Sequence, residues 1–298
     1  MNRSAVESAL HGVRVVTLAQ NVPGPVAAAR LRSLGAHVLK VEPPGGDPLA
    51  LYSASWYAQL HRDCVVEQID LKGAAGRELL EERLRDADVL LTSNRPSALV
   101  RLGLGWDDVH ARHPRLILVG IVGYAPPDED LAGHDLTYVA KLGLVQPPQM
   151  PLSLFADLAG AERAVASTLA LLFARERAGR AGNAVVSLAE AAEGLGEPLR
   201  HGLTAPEGLL GGSLAGYRVY RARDGWVALA ALEPHFWKRF CAESGAGEPD
   251  ASALADLFLE RSAADWEAWA NERDLPLVAV GGTAPCYTVR GHDASPHS

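Results

Sequence analysis

A histidine and an aspartate are the side chains of this sequence best suited to chemistry on a carbon acid. His134 stands in Gly133-His134-Asp135, after a polar segment, and Asp157 stands 23 residues later, before a long apolar run. If the fold brings them together, one side chain can remove a proton from a carbon atom while the other returns one to the opposite face. The alternatives are a loop histidine packed on its own backbone and an acid that stabilises a helix start.

Three further polar residues lie at positions typical of ligand binding or of a helix start. Arg95 follows an apolar strand, at the edge where parallel sheets bind ligands, and its guanidinium suits a phosphate group; a solvent-exposed arginine is the alternative. Glu233 lies between a strand and a helix, where its alternative role is simply to begin the helix. Asp135 either orients His134 or caps the helix that follows it. The acidic run at 128–130 is interpreted as a solvated loop.

Short apolar runs alternate with helical patterns in the order that builds a parallel sheet. Strands over 13–18 and 36–41 flank a helix over 26–34, and this order requires a crossover between parallel strands. A long buried helix is predicted over 161–177. We therefore expect the α/β fold class. Further strands are predicted over 65–71, 88–92, 116–122 and 184–188, and further helices over 73–85 and 107–112.

Two glycine-rich stretches divide the chain into a large and a small lobe. Residues 1–193 form the predicted large domain, 194–215 a linker and 216–298 a small domain. The small domain is expected to be α+β, because a hairpin pattern at its start is followed by helices. Ser252 is predicted to be the N-cap of one of these helices.

Composition and charge argue against several classes of protein. The 298-residue chain has a formal net charge of −8 and no basic run of the kind that binds a nucleic-acid backbone. It shows neither a membrane-spanning stretch nor an apolar signal core. Three unevenly spaced cysteines without Cys-x-x-Cys predict no disulfide framework and no structural metal site, which fits a reducing cytoplasm. We expect a cytoplasmic protein without nucleic acid or membrane as a partner.

A series of short phrases, kept in one order, resembles the class III CoA-transferase family, which also contains the alpha-methylacyl-CoA racemases. The resemblance covers about residues 10 to 240. Gly133-His134-Asp135 looks like the racemase version of its segment, because many transferases of the family lack the histidine. Other matching phrases are Gly12-Val-Arg-Val-Val, Pro23-Gly-Pro25, Leu34-Gly-Ala36, Asp70-Leu-Lys72, Asn94-Arg-Pro96 and the stretch from Pro151 to Gly160.

This resemblance implies a fold, an assembly and a set of site residues. The family fold is a Rossmann-like large lobe plus a smaller lobe, with two chains interlocked as a homodimer. Asp157 matches the family's catalytic aspartate, which forms a mixed anhydride in the transferases and works opposite a histidine in the racemases. Glu233 falls where the racemases keep a glutamate near that histidine. Coenzyme A enters as part of an acyl-CoA substrate, with no permanently bound cofactor, and its expected ligands are Arg62, Arg95 and Lys40.

Three functions stay open at this point. The first is epimerisation of the α-carbon of a 2-methylacyl-CoA-type thioester by His134 and Asp157, with Glu233 in support. The second is a CoA-transferase that moves CoA between carboxylic acids through an anhydride on Asp157. The third is an altered, non-catalytic homologue, suggested by departures from the family phrases at 62–64 and 123–127.

Overall fold

The chain forms two compact units, residues 1–197 and 198–298. The computed structural model describes residues 6–281, so the last part of the predicted small domain, 282–298, lies outside the described residues. Each unit has its own hydrophobic core. The α/β fold class predicted from the sequence is confirmed.

Strands and helices alternate through the first unit. The prolines at 23 and 25 lie in the first turn of α1, where the missing N–H of proline has no helical partner to lose. The elements of this unit are β1 (Arg14–Thr17), α1 (Pro23–Ser33), β2 (His37–Glu42), α2 (Leu49–Tyr52), α3 (Ala54–Leu60), β3 (Val65–Gln68), α4 (Ala74–Leu84), β4 (Val89–Thr92), α5 (Pro96–Arg101), α6 (Trp106–Arg112), β5 (Ile117–Val122), α7 (Asp135–Lys141), α8 (Phe155–Ala178), β6 (Asn183–Ser187) and α9 (Leu188–Arg200).

The six strands of this unit form one parallel sheet in the order β3-β2-β1-β4-β5-β6. Val15 of β1 pairs with Val38 of β2 on one side and with Val89 of β4 on the other. Successive apolar side chains enter the two cores on opposite faces of the sheet, since Val15 belongs to one core and Val16 to the other. Because the chain winds away from β1 and β4 in opposite directions, the loops that follow them leave a crevice at the carboxyl edge.

The bounds of α8 and α9 correct two predictions made from the sequence. α8 begins at Phe155, six residues before the predicted start, so Asp157 lies inside its first turn. The pattern of apolar residues becomes continuous only at Ala161, which is why the sequence placed the start too late. α9 runs through Gly194 and Gly196, where the linker was predicted to begin.

Within its described residues, 198–281, the second unit has a short helical segment at Leu209–Ser213, a three-stranded antiparallel sheet and three longer helices. The predicted hairpin forms β7 and β8, and β9 pairs with β8. The predicted N-cap Ser252 is wrong, because the side chain of Asp250 accepts the N–H of Ala253 at 2.8 Å and begins the helix two residues earlier. The elements are β7 (Tyr217–Arg221), β8 (Trp226–Ala230), α10 (Pro234–Ser244), α11 (Ala251–Phe258), α12 (Ala263–Asn271) and β9 (Leu277–Ala279).

Candidate active site

His134 and Asp157 lie in one cavity of about 320 Å³ at the carboxyl edge of the parallel sheet. The loops after β1, β4 and β5 form its walls, so it occupies the crevice that the strand order creates. The structure therefore places the two predicted catalytic residues in the lining of one cavity. Its lining includes Gln20, Asn21, Ser93, Asn94, Arg95, Gly123, Glu129, Gly133, His134, Tyr138, Asp157 and Leu188.

The backbone of His134 is fixed at the start of α7. The N–H of His134 donates to the hydroxyl of Thr137 at 3.1 Å, and that hydroxyl donates to the carbonyl of His134 at 2.7 Å. Both contacts use the backbone of His134, and the residue also lines the cavity. His134 therefore begins a helix and lies in the same cavity as Asp157.

The Asp157 carboxyl sits in an environment that favours its neutral form. Burial, and to a smaller extent the Asp135 carboxylate, raises the pKa of Asp157 from 3.8 to about 7. The electrostatic benefit of an acid at a helix start is outweighed here by desolvation. A carboxyl with a pKa near neutrality can both donate and accept a proton at physiological pH.

Asp135 connects His134 to Asp157 by one peptide bond and one hydrogen bond to the backbone. Its buried carboxylate accepts the N–H of Asp157 at 3.0 Å, and it directly follows His134 in the chain. Of the two roles weighed for Asp135, capping is the one observed, but the helix whose free N–H it satisfies is α8 rather than its own. This contact fixes the start of α8 against the start of α7.

Tyr138 is a cavity residue that the sequence reasoning missed. Burial, with smaller contributions from Tyr124 and Asp157, raises the pKa of Tyr138 to about 12, so its hydroxyl keeps its proton. Its ring packs so closely on Gly133 that a Cβ there would lie 2.6 Å from the ring. The glycine before His134 is the signal that a bulky neighbour packs on this turn.

Arg95 lies in the same cavity, as expected of a ligand for the substrate. It ends the loop after β4 and is exposed at the start of α5. The neighbouring loop after β1 is tied to it, because the N–H of Gln20 donates to the hydroxyl of Ser93 at 3.0 Å. Two loops from the centre of the sheet therefore form one wall.

A second cavity of about 630 Å³ adjoins the first one. The two share Gln20 and Asn94, and the second extends over the carboxyl ends of β2 and β3. Lys72 and Arg101 supply positive charge to it. Lys72 stands in one of the phrases that resemble the family, but neither Lys72 nor Arg101 was predicted from the sequence to be a ligand.

Lys40 and Arg62, the other two expected CoA ligands, line neither cavity. The Lys40 ammonium is buried, with 1% of its side chain exposed, and pairs with Asp47 and, at 3.5 Å, with Glu42. In this conformation Lys40 does not present its amine to a ligand, although the family resemblance implied that it would. Arg62 is exposed in the turn before β3.

Three side chains that could bind a metal ion lie close together around Lys40. Oxygens of Glu42 and Asp47 and a ring nitrogen of His61 lie within 4.8 Å of one another. The Lys40 ammonium lies against both carboxylates and supplies the positive charge there. The cluster is therefore explained as a buried ion pair of the fold.

Glu233 belongs to the second unit, directly before α10, where its backbone begins the helix. The alternative that the sequence offered, a residue at a helix start, matches this position. Its role beside His134 stays a prediction, as does the homodimer.

The model of CoA-transferase family III matches residues 10–288 of the chain. The protein belongs to this family. It is therefore an enzyme of the racemase or transferase kind, and the acyl-CoA handling expected from the sequence is supported at the level of the family. Among residues 6–281, none of the helices has the length and apolar character needed to cross a bilayer.

Individual relatives within the family carry out different reactions. The human alpha-methylacyl-CoA racemase is 30% identical over 87% of this chain and 74% of its own length. The cinnamoyl-CoA:phenyllactate CoA-transferase of Clostridium sporogenes is 29% identical over 78% of this chain and 64% of its own length. A crystal structure of a hypothetical protein from Mycobacterium tuberculosis superposes with a TM-score of 0.81, at 25% identity, over 92% of this chain and 84% of that one. Identity alone does not separate racemase from transferase.

Proposed function

We propose that the protein epimerises the α-carbon of an acyl-CoA thioester by 1,1-proton transfer. The observation that carries the proposal is the single cavity that holds both His134 and Asp157, with the Asp157 pKa raised to about 7. The thioester makes the α-hydrogen acidic, and two groups on opposite faces of that carbon are enough for the exchange.

The reaction needs one base and one acid, which exchange roles with the direction. In one direction the Asp157 carboxylate removes the α-proton, the C–H electron pair moves into an enolate, and protonated His134 delivers a proton to the other face. In the reverse direction neutral His134 is the base and the neutral Asp157 carboxyl is the acid. A carboxyl half-protonated near neutral pH serves both directions.

The second cavity suits the charged part of coenzyme A. Lys72 and Arg101 face it, Arg95 lies in the adjoining first cavity, and the carboxyl ends of parallel strands are the usual binding edge of such sheets. CoA would then lie across the loops after β2 and β3 and place the thioester near His134 and Asp157. No chemical step requires a permanently bound cofactor.

CoA transfer is the second candidate function, since Asp157 lies in a cavity that also admits a thioester carbonyl. In that reaction the Asp157 carboxylate attacks the thioester, CoA leaves as the thiolate, and an aspartyl anhydride remains for the acceptor acid. The pKa of Asp157 does not separate the two reactions, because both use its carboxylate form. The presence of His134 in the same cavity favours epimerisation, since CoA transfer uses Asp157 alone.

The test is epimerisation of a single enantiomer of a 2-methylacyl-CoA in deuterated water, followed by chiral separation and mass spectrometry. We expect loss of enantiomeric purity with one deuterium gained per inversion, and loss of epimerisation in His134→Gln and Asp157→Asn. His37→Gln and Asp86→Asn are matched controls, because both residues are exposed at the amino edge of the sheet.

Two other outcomes would each replace the proposal. A hydroxylamine-trapped acyl adduct on Asp157, without deuterium uptake, would establish CoA transfer. An absence of CoA binding by calorimetry in a folded chain would favour the altered homologue.

A further inference from the structure

The acidic run after β5 does not behave as one solvated loop. Asp128 and Asp130 are exposed, but Glu129 between them is half-buried and lines the cavity of His134 and Asp157. The interpretation of the whole run as a solvated loop is therefore wrong for Glu129. Neighbouring carboxylates in a sequence repel each other and prefer water, so an inward-facing one requires an explanation.

Glu129 is held in place from both sides. On the near side the N–H of Asp128 donates to the carbonyl of Ala125 at 2.9 Å, and the N–H of Leu131 donates to the carbonyl of Asp128 at 2.9 Å. On the far side the Ser97 hydroxyl donates to the Asp130 carboxylate at 2.9 Å. These contacts fix the backbone around Glu129 and anchor its neighbour to α5, so its side chain does not face the cavity as part of a loose loop.

The Glu129 carboxylate lacks a hydrogen-bond donor. Its Oε2 atom is shielded from solvent, and no side chain or backbone group among residues 6–281 donates to it. Arg95 lines the same cavity but makes no ion pair with it within the described part of the chain. Because Oε2 is shielded, a ligand in the cavity would contact the other carboxylate oxygen, Oε1, which is not shielded in this way. A donor on the ligand would stabilise a carboxylate that residues 6–281 leave without a hydrogen-bond partner.

We propose that Glu129 accepts a hydrogen bond from a hydroxyl group on the acyl moiety, so that the enzyme prefers hydroxyacyl thioesters. This inference rests on the proposed function, which places the acyl group beside His134 and Asp157. The donor belongs to the acyl group rather than to the charged part of CoA, because Glu129 lies in the cavity of the reacting pair and not in the cavity of Lys72 and Arg101.

Charge and polarity at Glu129 disfavour two other acyl classes. An acyl group with a free carboxylate would bring a like charge next to Glu129, which is unfavourable in a partly desolvated site. A purely aliphatic acyl group would leave the carboxylate oxygen without a donor. A hydroxyl is neutral and can donate, so it satisfies the oxygen without either penalty.

The test is a binding comparison that does not depend on turnover. The dissociation constants of butanoyl-CoA and of its 2-, 3- and 4-hydroxy derivatives are measured by calorimetry on the wild type, Glu129→Leu and Glu129→Gln. We expect at least one hydroxylated compound to bind the wild type roughly tenfold more tightly than butanoyl-CoA. Glu129→Leu should abolish this preference, and Glu129→Gln, whose amide oxygen still accepts, should retain part of it.

Asp128→Asn is the matched control, because it removes the same charge one residue away from an exposed position. Far-UV circular dichroism checks that each variant is folded. If the leucine variant is not folded, a partial loss of the preference in Glu129→Gln, with no loss in Asp128→Asn, decides the test. Equal binding of all four compounds by the wild type, or a preference that survives in both Glu129 variants, would overturn the inference. Epimerisation of a plain 2-methylacyl-CoA in the same wild-type preparation shows separately whether the proposed function holds.

Discussion

Neutralising Asp157 should make the protein more stable, although it removes a catalytic group. Its pKa stands at about 7 in the folded protein, against an ordinary value of 3.8. Each pKa unit corresponds to about 1.4 kcal/mol, so the difference of about three units gives an upper bound of about 4 kcal/mol. Because the carboxyl faces an open cavity that screens its charge, we expect Asp157→Asn to raise the free energy of unfolding by about 2–3 kcal/mol at about pH 8.

The size of this stability difference depends on pH between the two pKa values of Asp157. Below about pH 4 the carboxyl is protonated in both the folded and the unfolded chain, so it has no effect on the free energy of unfolding. Between about pH 4 and pH 7 the unfolded chain loses the proton first, and the stability of the wild type falls relative to the variant. Above this window the difference should stay constant.

Urea unfolding of wild type and Asp157→Asn, followed by far-UV circular dichroism at several pH values, measures this difference. Asp86→Asn is the control, since it makes the same change at an exposed carboxylate outside the cavity. An Asp157→Asn protein that is less stable than the wild type at about pH 8 would refute the reasoning. A stability difference that is the same at about pH 4 and pH 8 would refute it equally.

Three further substitutions test other contacts of the structure. Lys40→Met leaves the buried Asp47 carboxylate without its cation, so the free energy of unfolding in urea should fall by about 3–5 kcal/mol. Gly133→Ala places a Cβ 2.6 Å from the Tyr138 ring, so the epimerisation rate should fall by about ten- to hundredfold while CoA affinity, measured by calorimetry, is kept. Arg101→Gln should weaken CoA binding about tenfold in the same calorimetric assay, and unchanged affinity would remove the second cavity from the CoA site.

The sheet was predictable from the sequence because its strands are short apolar runs bounded by turns. The runs around Val15, Val38 and Val89 carry that signal, and all three strands pair side by side. The position of Asp157 relative to its helix was less predictable, because a helix start is marked by its cap, and the N-cap of α8, Leu154, has no polar side chain to make one. The spacing of apolar residues showed which segments are strands or helices. Where each segment begins and ends depended on tertiary contacts, such as the hydrogen bond from the N–H of Asp157 to the Asp135 carboxylate.

The cavity lining was predictable only in part. His134 and Asp157 stood out by residue type and phrase, but Tyr138 resembled an ordinary core residue of a helix. Glu129 resembled its exposed neighbours, because the sequence does not show which side chain of an acidic run turns inward. For Lys40 the sequence suggested a ligand-binding side chain, but the structure buries it. Its partner Asp47 lies seven residues later, in a loop whose position the sequence does not show.

Enantiomer-resolved α-hydrogen exchange measures whether His134 and Asp157 act on opposite faces of one carbon. Each enantiomer of a 2-methylacyl-CoA is incubated in deuterated water with the wild type, His134→Gln or Asp157→Asn. We predict that each variant exchanges the α-hydrogen of only one enantiomer, that the two variants choose opposite enantiomers, and that neither epimerises. If a single variant exchanged both enantiomers, or if both variants exchanged the same enantiomer, His134 and Asp157 would not act on opposite faces of the carbon.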